Sequence, residues 1–452
     1  MLRVPLPGAP PPHAAHAALA RRFATTFLLE SRDGPGELAR HSVVGWDPAG
    51  TLTLDGQGLH VTGDLPPPQG EEPFAYLRRV LASLPKPTGD AGPFSGGFVG
   101  CAGFGLVRTL EPTLPDGAGE AWPRLLLGLY LDAIVYDHTA GTVEYVSLGP
   151  DRRGDLSWDV APPGPLSVGP LRPNLPSTAF VERVQAAKRL AEAGEVFQVV
   201  LSRRYEAAFE GDLGACYEAL RETARAPFLF HLRFPDRTLL GASPERLVAV
   251  RGGRAETYPI AGTRPQTGDA ARDAQAAAEL AADPKERAEH AMLVDLARND
   301  LARVCRSGSV QVERFREVQA FGNVLHLVSR VSGQLRPGKD ALAAFAALFP
   351  AGTVSGAPKV RALEHIARLE ASGRGAYAGA VLHVGADGSL DSAITLRSLS
   401  ARHEAGRGTL SVQAGAGIVL GSEPVGELRE TQHKARAMLE ALRPFGAVVE
   451  EP

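Results

Sequence analysis

Cysteine, methionine and tryptophan each occur only three times in this chain of 452 residues, and aromatic residues make up 6% of it. Cys101, Cys216 and Cys305 lie far apart and match neither a zinc-ligand spacing nor a disulfide framework. That excludes a disulfide-stapled secreted scaffold; a reducing, cytoplasmic compartment is expected, with the thiols in the core. An excess of charge of one sign is missing too. Lys plus Arg number 48 against 51 Asp plus Glu, a net charge of -3, so nothing favours nucleic acid or an anionic membrane as partner. No apolar run approaches the roughly 20 residues that span a bilayer, and the opening MLRVPLPGAPPP contains no continuous apolar signal segment. What remains is a soluble globular chain with ample apolar content for a sizeable core, long enough for two domains or one large one.

The proline-dense stretch 161–176 is the one clear linker-like segment. It separates an amino-terminal region, residues 1–160, from a second region, residues 177–445. In the first, a short helix near residues 13–23 leads into strands at 25–32 and 40–47, a helix at 76–84 and a hairpin over 125–136 and 142–148. In the second, Ser177 reads as the cap of a helix carrying Phe180, Val184, Ala187 and Leu190, with Gly194 as its stop. Residues 196–205 read as a strand with Gln198 a polar group among apolar neighbours. Strands follow at 228–234, 239–242, 324–331, 374–384, 390–399 and 410–420, while YPIAGT (258–263) reads as a loop.

Three glycine-rich segments imitate nucleotide sites. In FSGGFVGCAGFG (94–105) the spacing gives neither a Walker pattern nor a helix start, so close packing between strands is expected. In GTVSGAPK (352–359) Pro358 precedes the lysine and Gly-Lys-Ser/Thr is absent. In VQAGAGIVLG the glycines Gly415, Gly417 and Gly421 have the wrong spacing and lie inside or at the end of a strand. Bare glycines still let backbone amides approach a carboxylate closely.

The stretch 283–305, DPKERAEHAMLVDLARNDLARVC, has apolar residues around nearly the whole helical wheel, which predicts a buried helix. Glu286, Glu289 and His290 project together near its start. Two ionised carboxylates ~4 Å apart at an effective dielectric near 20 repel by roughly 4 kcal/mol, so a buried pair needs a cation or a shared proton. Mg²⁺, which takes oxygen ligands, is the natural choice; a solvated helix start with capping acids is the alternative. The last helix, opened by Pro424, carries a second ladder of Glu423, Glu427, Glu430 and Lys434, which is either a solvated face or the other half of the same metal site.

Taken together, AGEVFQVVLSRR, GASPERL, PIAGTRP, ERAEHAMLVDLARNDLARVC, VLHLVSRV, AGTVSGAPKVRA, RGAYAGAV and VQAGAGIVL resemble the chorismate-utilising enzymes, and within them anthranilate synthase component I. The resemblance runs from LLES (28–31) to ETQHKAR (430–436), nearly the full chain. It implies an α+β fold of two antiparallel sheets packed as a β-sandwich and surrounded by helices, with strands from both halves, so the linker need not separate independent domains. It also implies Mg²⁺ held by Glu286, Glu289, Glu427 and Glu430, with the ring carboxylate of chorismate on it. Arg397 and Tyr377 match positions on the enolpyruvyl carboxylate, beside the amides of Gly415, Ala416 and Gly417. Gly262 and Thr263 match positions near the ring. Glu245 matches the general acid, which must stay protonated near neutrality, and His326 matches the histidine of pyruvate elimination.

Water-using relatives carry a lysine base where this chain has Gln198, and ammonia needs no such base. Aminodeoxychorismate synthase components, the alternative within the family, often carry lysine where Ala261 sits and asparagine where Val200 sits; both positions here favour anthranilate. No glutaminase module with its own nucleophilic cysteine is recognisable, so a separate glutamine amidotransferase subunit is implied. The LLES motif suggests a site for L-tryptophan as inhibitor at Glu30, Ser31 and Arg40, with Pro227, Phe228 and Leu229 standing where relatives have a different stretch.

Overall fold

The computed structural model describes residues 1–32, 38–87, 91–115, 122–158, 161–321 and 324–451. Alternation along the strands sets the layers. In Thr26–Glu30, Phe27 points into a core shared with Phe94, Tyr130 and Phe230, whereas Leu28 points the other way, towards Ala15, Leu19 and Trp46. The first set lies between two sheets and the second under helices. A further large core packs Phe345, Val294 and Leu301 from helices against Val248 and Leu382 from strands.

Among the described residues the sheets have 13 and 11 strands. The regions on either side of the proline-dense stretch pair within both of them. Thr26–Glu30 pairs with Phe228–Phe234 in the first sheet, and Gly97–Ala102 pairs with Ala380–Gly385 in the second, each antiparallel. The glycines of the 97–102 strand do what close packing requires: a Cβ on Gly100 would collide with the Leu126 carbonyl of the neighbouring strand. The strands Gly50–Asp55 and Gly58–Val61 and the helix Ala270–Ala282 lie outside the elements expected from the sequence.

Several local expectations are corrected. Ser177 is the first residue of the helix Ser177–Glu192 and not its cap; Pro176 takes that place, and the Ser177 hydroxyl donates to Glu451 instead. Residues 258–263 are not all loop, because Ile260–Pro265 is an edge strand on Val324–Gln334, with a register shift between Ala261 and Arg264. Gly262 (φ +63°) sits in that bulge, where a left-handed residue is needed. The strand expected over 374–384 begins only at Ala380. Residues 352–359 hold a short helix, Gly352–Ser355, and then Gly356–Ala357 pairs with the start of Gln198–Gly211.

The helix expected to be buried all round, Pro284–Ala302, exposes one side to solvent, including Ala288 and Ala291. Alanine favours helix wherever it sits and marks a core poorly. His290 also leaves its expected company: it is fully buried and shares a 2.7 Å hydrogen bond with Ser329, away from Glu286 and Glu289, which stay half-buried.

Candidate active site

Glu245 lies in the turn between Arg237–Ser243 and Arg246–Arg251. Ser243 locks that turn, its hydroxyl donating to the Ile394 carbonyl (2.6 Å) and accepting from the Glu245 N–H (3.3 Å). The Glu245 side chain is thereby held inward, 9% exposed, where one carboxyl oxygen accepts from Thr353 Oγ1 at 3.0 Å. Burial pushes its pKa up to about 8, against the opposing pull of the Thr353 hydrogen bond and the Lys434 charge. Thr353 was missed in the sequence, where it sat inside a motif rejected as a phosphate loop; its polar side chain in a glycine-rich turn was the available signal.

His326 stands on Val324–Gln334 with Nδ1 2.7 Å from the carbonyl of Gly262 and 3.3 Å from Thr263 Oγ1. Burial lowers its pKa, so the ring is neutral near pH 7. With Nδ1–H donated to Gly262, Nε2 carries the lone pair, and among the described residues that atom has no hydrogen-bond partner. The bulged strand thus serves the site directly, since its displaced Gly262 carbonyl selects the tautomer.

Arg397 (φ +46°) is half-buried and forms no side-chain hydrogen bond or ion pair among the described residues, and burial lowers its pKa. A guanidinium partly removed from water and without an ion-pair partner among the described residues is suited to a carboxylate. Its charge is felt at His326. Tyr377 lies beside Gly415, where an added Cβ would come within 2.6 Å of the phenol oxygen. At Gly417 an added Cβ would collide with the Gln198 amide nitrogen, while the buried Gln198 Oε1 has no partner among the described residues. Ala416, on the same strand Arg407–Ile418, points into the core, so it contributes backbone only.

The two carboxylate helices border these residues: Glu286 of the first lies beside Gly262, and the charge of Lys434 on the second is felt at Glu245. An added Cβ on Gly262 would come within 3.1 Å of Glu286 Oε2. The Glu289 carboxyl is pushed up, first by burial and then by the charges of Glu286 and Glu430; Glu427 is pushed up by burial too, with Glu430 adding repulsion. Glu430 pairs with Lys434 at 2.7 Å, and Lys434 also reaches the Gly415 carbonyl at 3.2 Å. Among the described residues no three acidic, histidine or cysteine side chains converge tightly enough to hold an ion as they stand. The donor set nevertheless fits a hard cation: oxygen donors, surplus negative charge and partial burial.

A second cavity, of about 130 Å³, lies between the sheets and is lined by Glu30, Ser31, Arg40, Phe228 and Leu229 among others. Pro227 is buried but does not line it. The Glu30 carboxylate is already engaged by Arg221 (2.8 Å) and Tyr217 (2.7 Å). Arg40 is likewise paired, with Asp137 at 2.7 Å.

The model of a family described as chorismate binding enzyme matches residues 24–440. Anthranilate synthase component 1 of Methanothermobacter marburgensis is 39% identical over 449 residues, covering 97% of this chain and 94% of that protein. The protein of the same name from Streptomyces coelicolor is 41% identical over 462 residues, covering 96% and 86%. The crystal structure of anthranilate synthase component I from Streptococcus pneumoniae superposes with a TM-score of 0.77 at 32% identity, covering 88% of this chain and 92% of that one. The chain belongs to the chorismate-binding enzyme family.

Proposed function

We propose that this chain is the large subunit of an anthranilate synthase, converting chorismate and ammonia to anthranilate and pyruvate in tryptophan biosynthesis. A separate glutamine amidotransferase subunit supplies the ammonia, and the reaction runs in the cytoplasm, where three buried free cysteines stay reduced. Two observations support this: Glu245 is a buried carboxylic acid held protonated to about pH 8, and His326 is a neutral histidine whose Nε2 has no hydrogen-bond partner among the described residues.

Arg397 and Tyr377 hold the enolpyruvyl carboxylate, with the amides of Gly415, Ala416 and Gly417 beside it and Gly262 and Thr263 near the ring. Glu245 passes its proton to the departing C4 hydroxyl, which leaves as water while ammonia bonds to C2. Gln198 supplies no base at that face, and ammonia, already carrying a lone pair, needs none. His326 Nε2 then takes the C2 proton as the enolpyruvyl group leaves and the ring becomes aromatic. Glu286, Glu289, Glu427 and Glu430 would hold Mg²⁺; the chemistry it supplies is neutralisation of the substrate's ring carboxylate. The inter-sheet cavity, with apolar walls and charges at its edge, suits L-tryptophan as an inhibitor.

The test bypasses the partner. Purified chain, chorismate, Mg²⁺ and ammonium salt at mildly alkaline pH are expected to yield anthranilate fluorescence and pyruvate in equal amounts. Chorismate consumed without pyruvate would instead assign an aminodeoxychorismate synthase component, and absence of turnover would remove the enzyme reading altogether.

A further inference from the structure

Arg374 follows the helix Lys359–Leu369 and is 3% exposed. Its guanidinium lies over Phe104, 4.6 Å from the ring centre, which fixes the plane of the donor fork. Glu370 is its counter-ion, accepting from Nε and from Nη2, each at 2.8 Å. The same Nη2 donates to the Val200 carbonyl at 2.8 Å, and Nη1 donates to the Val354 carbonyl at 2.7 Å. Glu370 in turn accepts from the Ser202 N–H and from the Ser202 hydroxyl, both at 2.8 Å. Val200 and Ser202 belong to the strand Gln198–Gly211, and Val354 to the short helix Gly352–Ser355, whose Thr353 meets Glu245.

A helix of four residues has little hydrogen bonding of its own with which to hold a side chain in place. A buried planar fork bonded to its backbone supplies that constraint. Lysine, a point charge, cannot reproduce directed bonds to a carboxylate and to two separate carbonyls. Thr353 Oγ1, donating to Glu245, favours the ionised carboxyl against burial, as does the charge of Lys434 on the last helix. Other charged groups beside Glu245 are engaged elsewhere. Asp300, which lines the same small cavity, pairs with Lys359 at 2.6 Å, and Arg246 pairs with Asp391 at 2.9 Å and with Glu256 at 3.4 Å.

We propose that Arg374 is a positioning residue of the candidate active site: with Glu370 as counter-ion it pins the turn Gly352–Ser355 to the strand Gln198–Gly211, and so holds Thr353 Oγ1 on Glu245. This rests on the reading of Glu245 as the acid of the amination step. Arg374 acts through Thr353 and touches no reacting atom in that reading.

The experiment titrates Glu245 directly, by the infrared carbonyl stretch of its protonated carboxyl, isolated by subtracting the spectrum of Glu245→Gln at each pH. Ammonium-dependent turnover of chorismate is followed over the same range. The unmodified protein is expected to titrate near pH 8. Thr353→Val, which removes the hydroxyl, should move the midpoint upward by about one pH unit, the size expected when a hydrogen bond to a charged group is lost. Thr353→Ser should restore it. Arg374→Lys keeps the positive charge, so an upward shift there reports geometry, and the double variant Arg374→Lys/Thr353→Val should move no further than Thr353→Val alone. The alkaline limb of turnover is expected to move with the midpoint. Should Arg374→Lys fold poorly, Arg374→Met combined with Glu370→Gln takes its place, because deleting a buried ion pair whole is tolerated better than deleting one partner. A midpoint unmoved in the Arg374 variant but raised in Thr353→Val would overturn the role of Arg374. Absence of turnover in the unmodified protein would overturn the reading of Glu245 as the acid and leave the link from Arg374 to Thr353 to be decided by the titration.

Discussion

At Glu245 burial and function pull against each other, because the desolvation that keeps the carboxyl protonated also makes its ionised form costly. The folded pKa lies above the unfolded one, so the stability this group contributes is fully present below about pH 4.5 and is lost as pH rises through about 8. Turnover should follow the same proton, with the amination step falling above about pH 8. Glu245→Gln is expected to lower kcat by about 10²–10⁴-fold. The same variant should melt at a higher temperature than the parent at pH 9, where the parent carries a buried charge. Loss of activity without that alkaline gain in Tm would mean that the carboxyl is not desolvated as described. His326 makes the complementary case. His326→Asn keeps a donor for the Gly262 carbonyl but loses the basic Nε2, so chorismate consumption is expected to continue while pyruvate release falls behind it. Equal loss of both would place His326 in the first step.

The two carboxylate helices are elements whose first turns are destabilised by one another. Glu430 repels Glu289 across the gap and Glu427 on its own helix, and among the described residues Lys434 pairs with Glu430 at close range. Removing one charge should relieve that repulsion at the expense of metal binding. Glu427→Gln is expected to raise the Tm of chelator-treated protein slightly and to shrink the Tm increase on adding Mg²⁺, since a ligand stabilises in proportion to RT ln(1 + [L]/Kd). A Mg²⁺-induced shift of unchanged size would remove Glu427 from the ligand set. The edge strand Ile260–Pro265 constrains the same region. At Gly262 (φ +63°) an added Cβ would come within 2.7 Å of Leu280 and 3.1 Å of Glu286 Oε2. Gly262→Ala should therefore cost about 1–3 kcal/mol of stability and disturb both the histidine tautomer and the first carboxylate. A wild-type melting curve together with wild-type turnover would contradict this.

For the whole molecule the decisive feature is that neither region completes a sheet by itself. Cutting within the proline-dense stretch separates Thr26–Glu30 from Phe228–Phe234 and Gly97–Ala102 from Ala380–Gly385. Each fragment would then present long unpaired strand edges and half of the core around Phe27, Phe94 and Phe230. Residues 177–452 expressed alone are expected to be insoluble or to lack a cooperative melting transition. A soluble monomer with a sharp transition would establish an independent domain there. The same shared construction links the inter-sheet cavity to the candidate site through common strands: Leu390–Ile394 lines the cavity and runs on towards Arg397, and Arg246 of the cavity wall follows Glu245 directly.

The local periodicities determined the helices around residues 12–22, 177–192 and 424–442 and most strands, because alternation and i, i+4 spacing depend only on near neighbours. The i, i+4 spacing of Glu430 and Lys434 likewise set their ion pair. Tertiary structure alone decided what burial decides. The wheel of Pro284–Ala302 suggested full burial, yet packing covers only one face, since alanine tolerates either side. It also decided that YPIAGT bulges as an edge strand, that Gly262 holds His326 in one tautomer, and that Thr353 meets Glu245. Nothing in the one-dimensional pattern distinguishes His383 from any other strand histidine. Its burial against Phe94 exists only because two sheets, assembled from strands hundreds of residues apart, close around it.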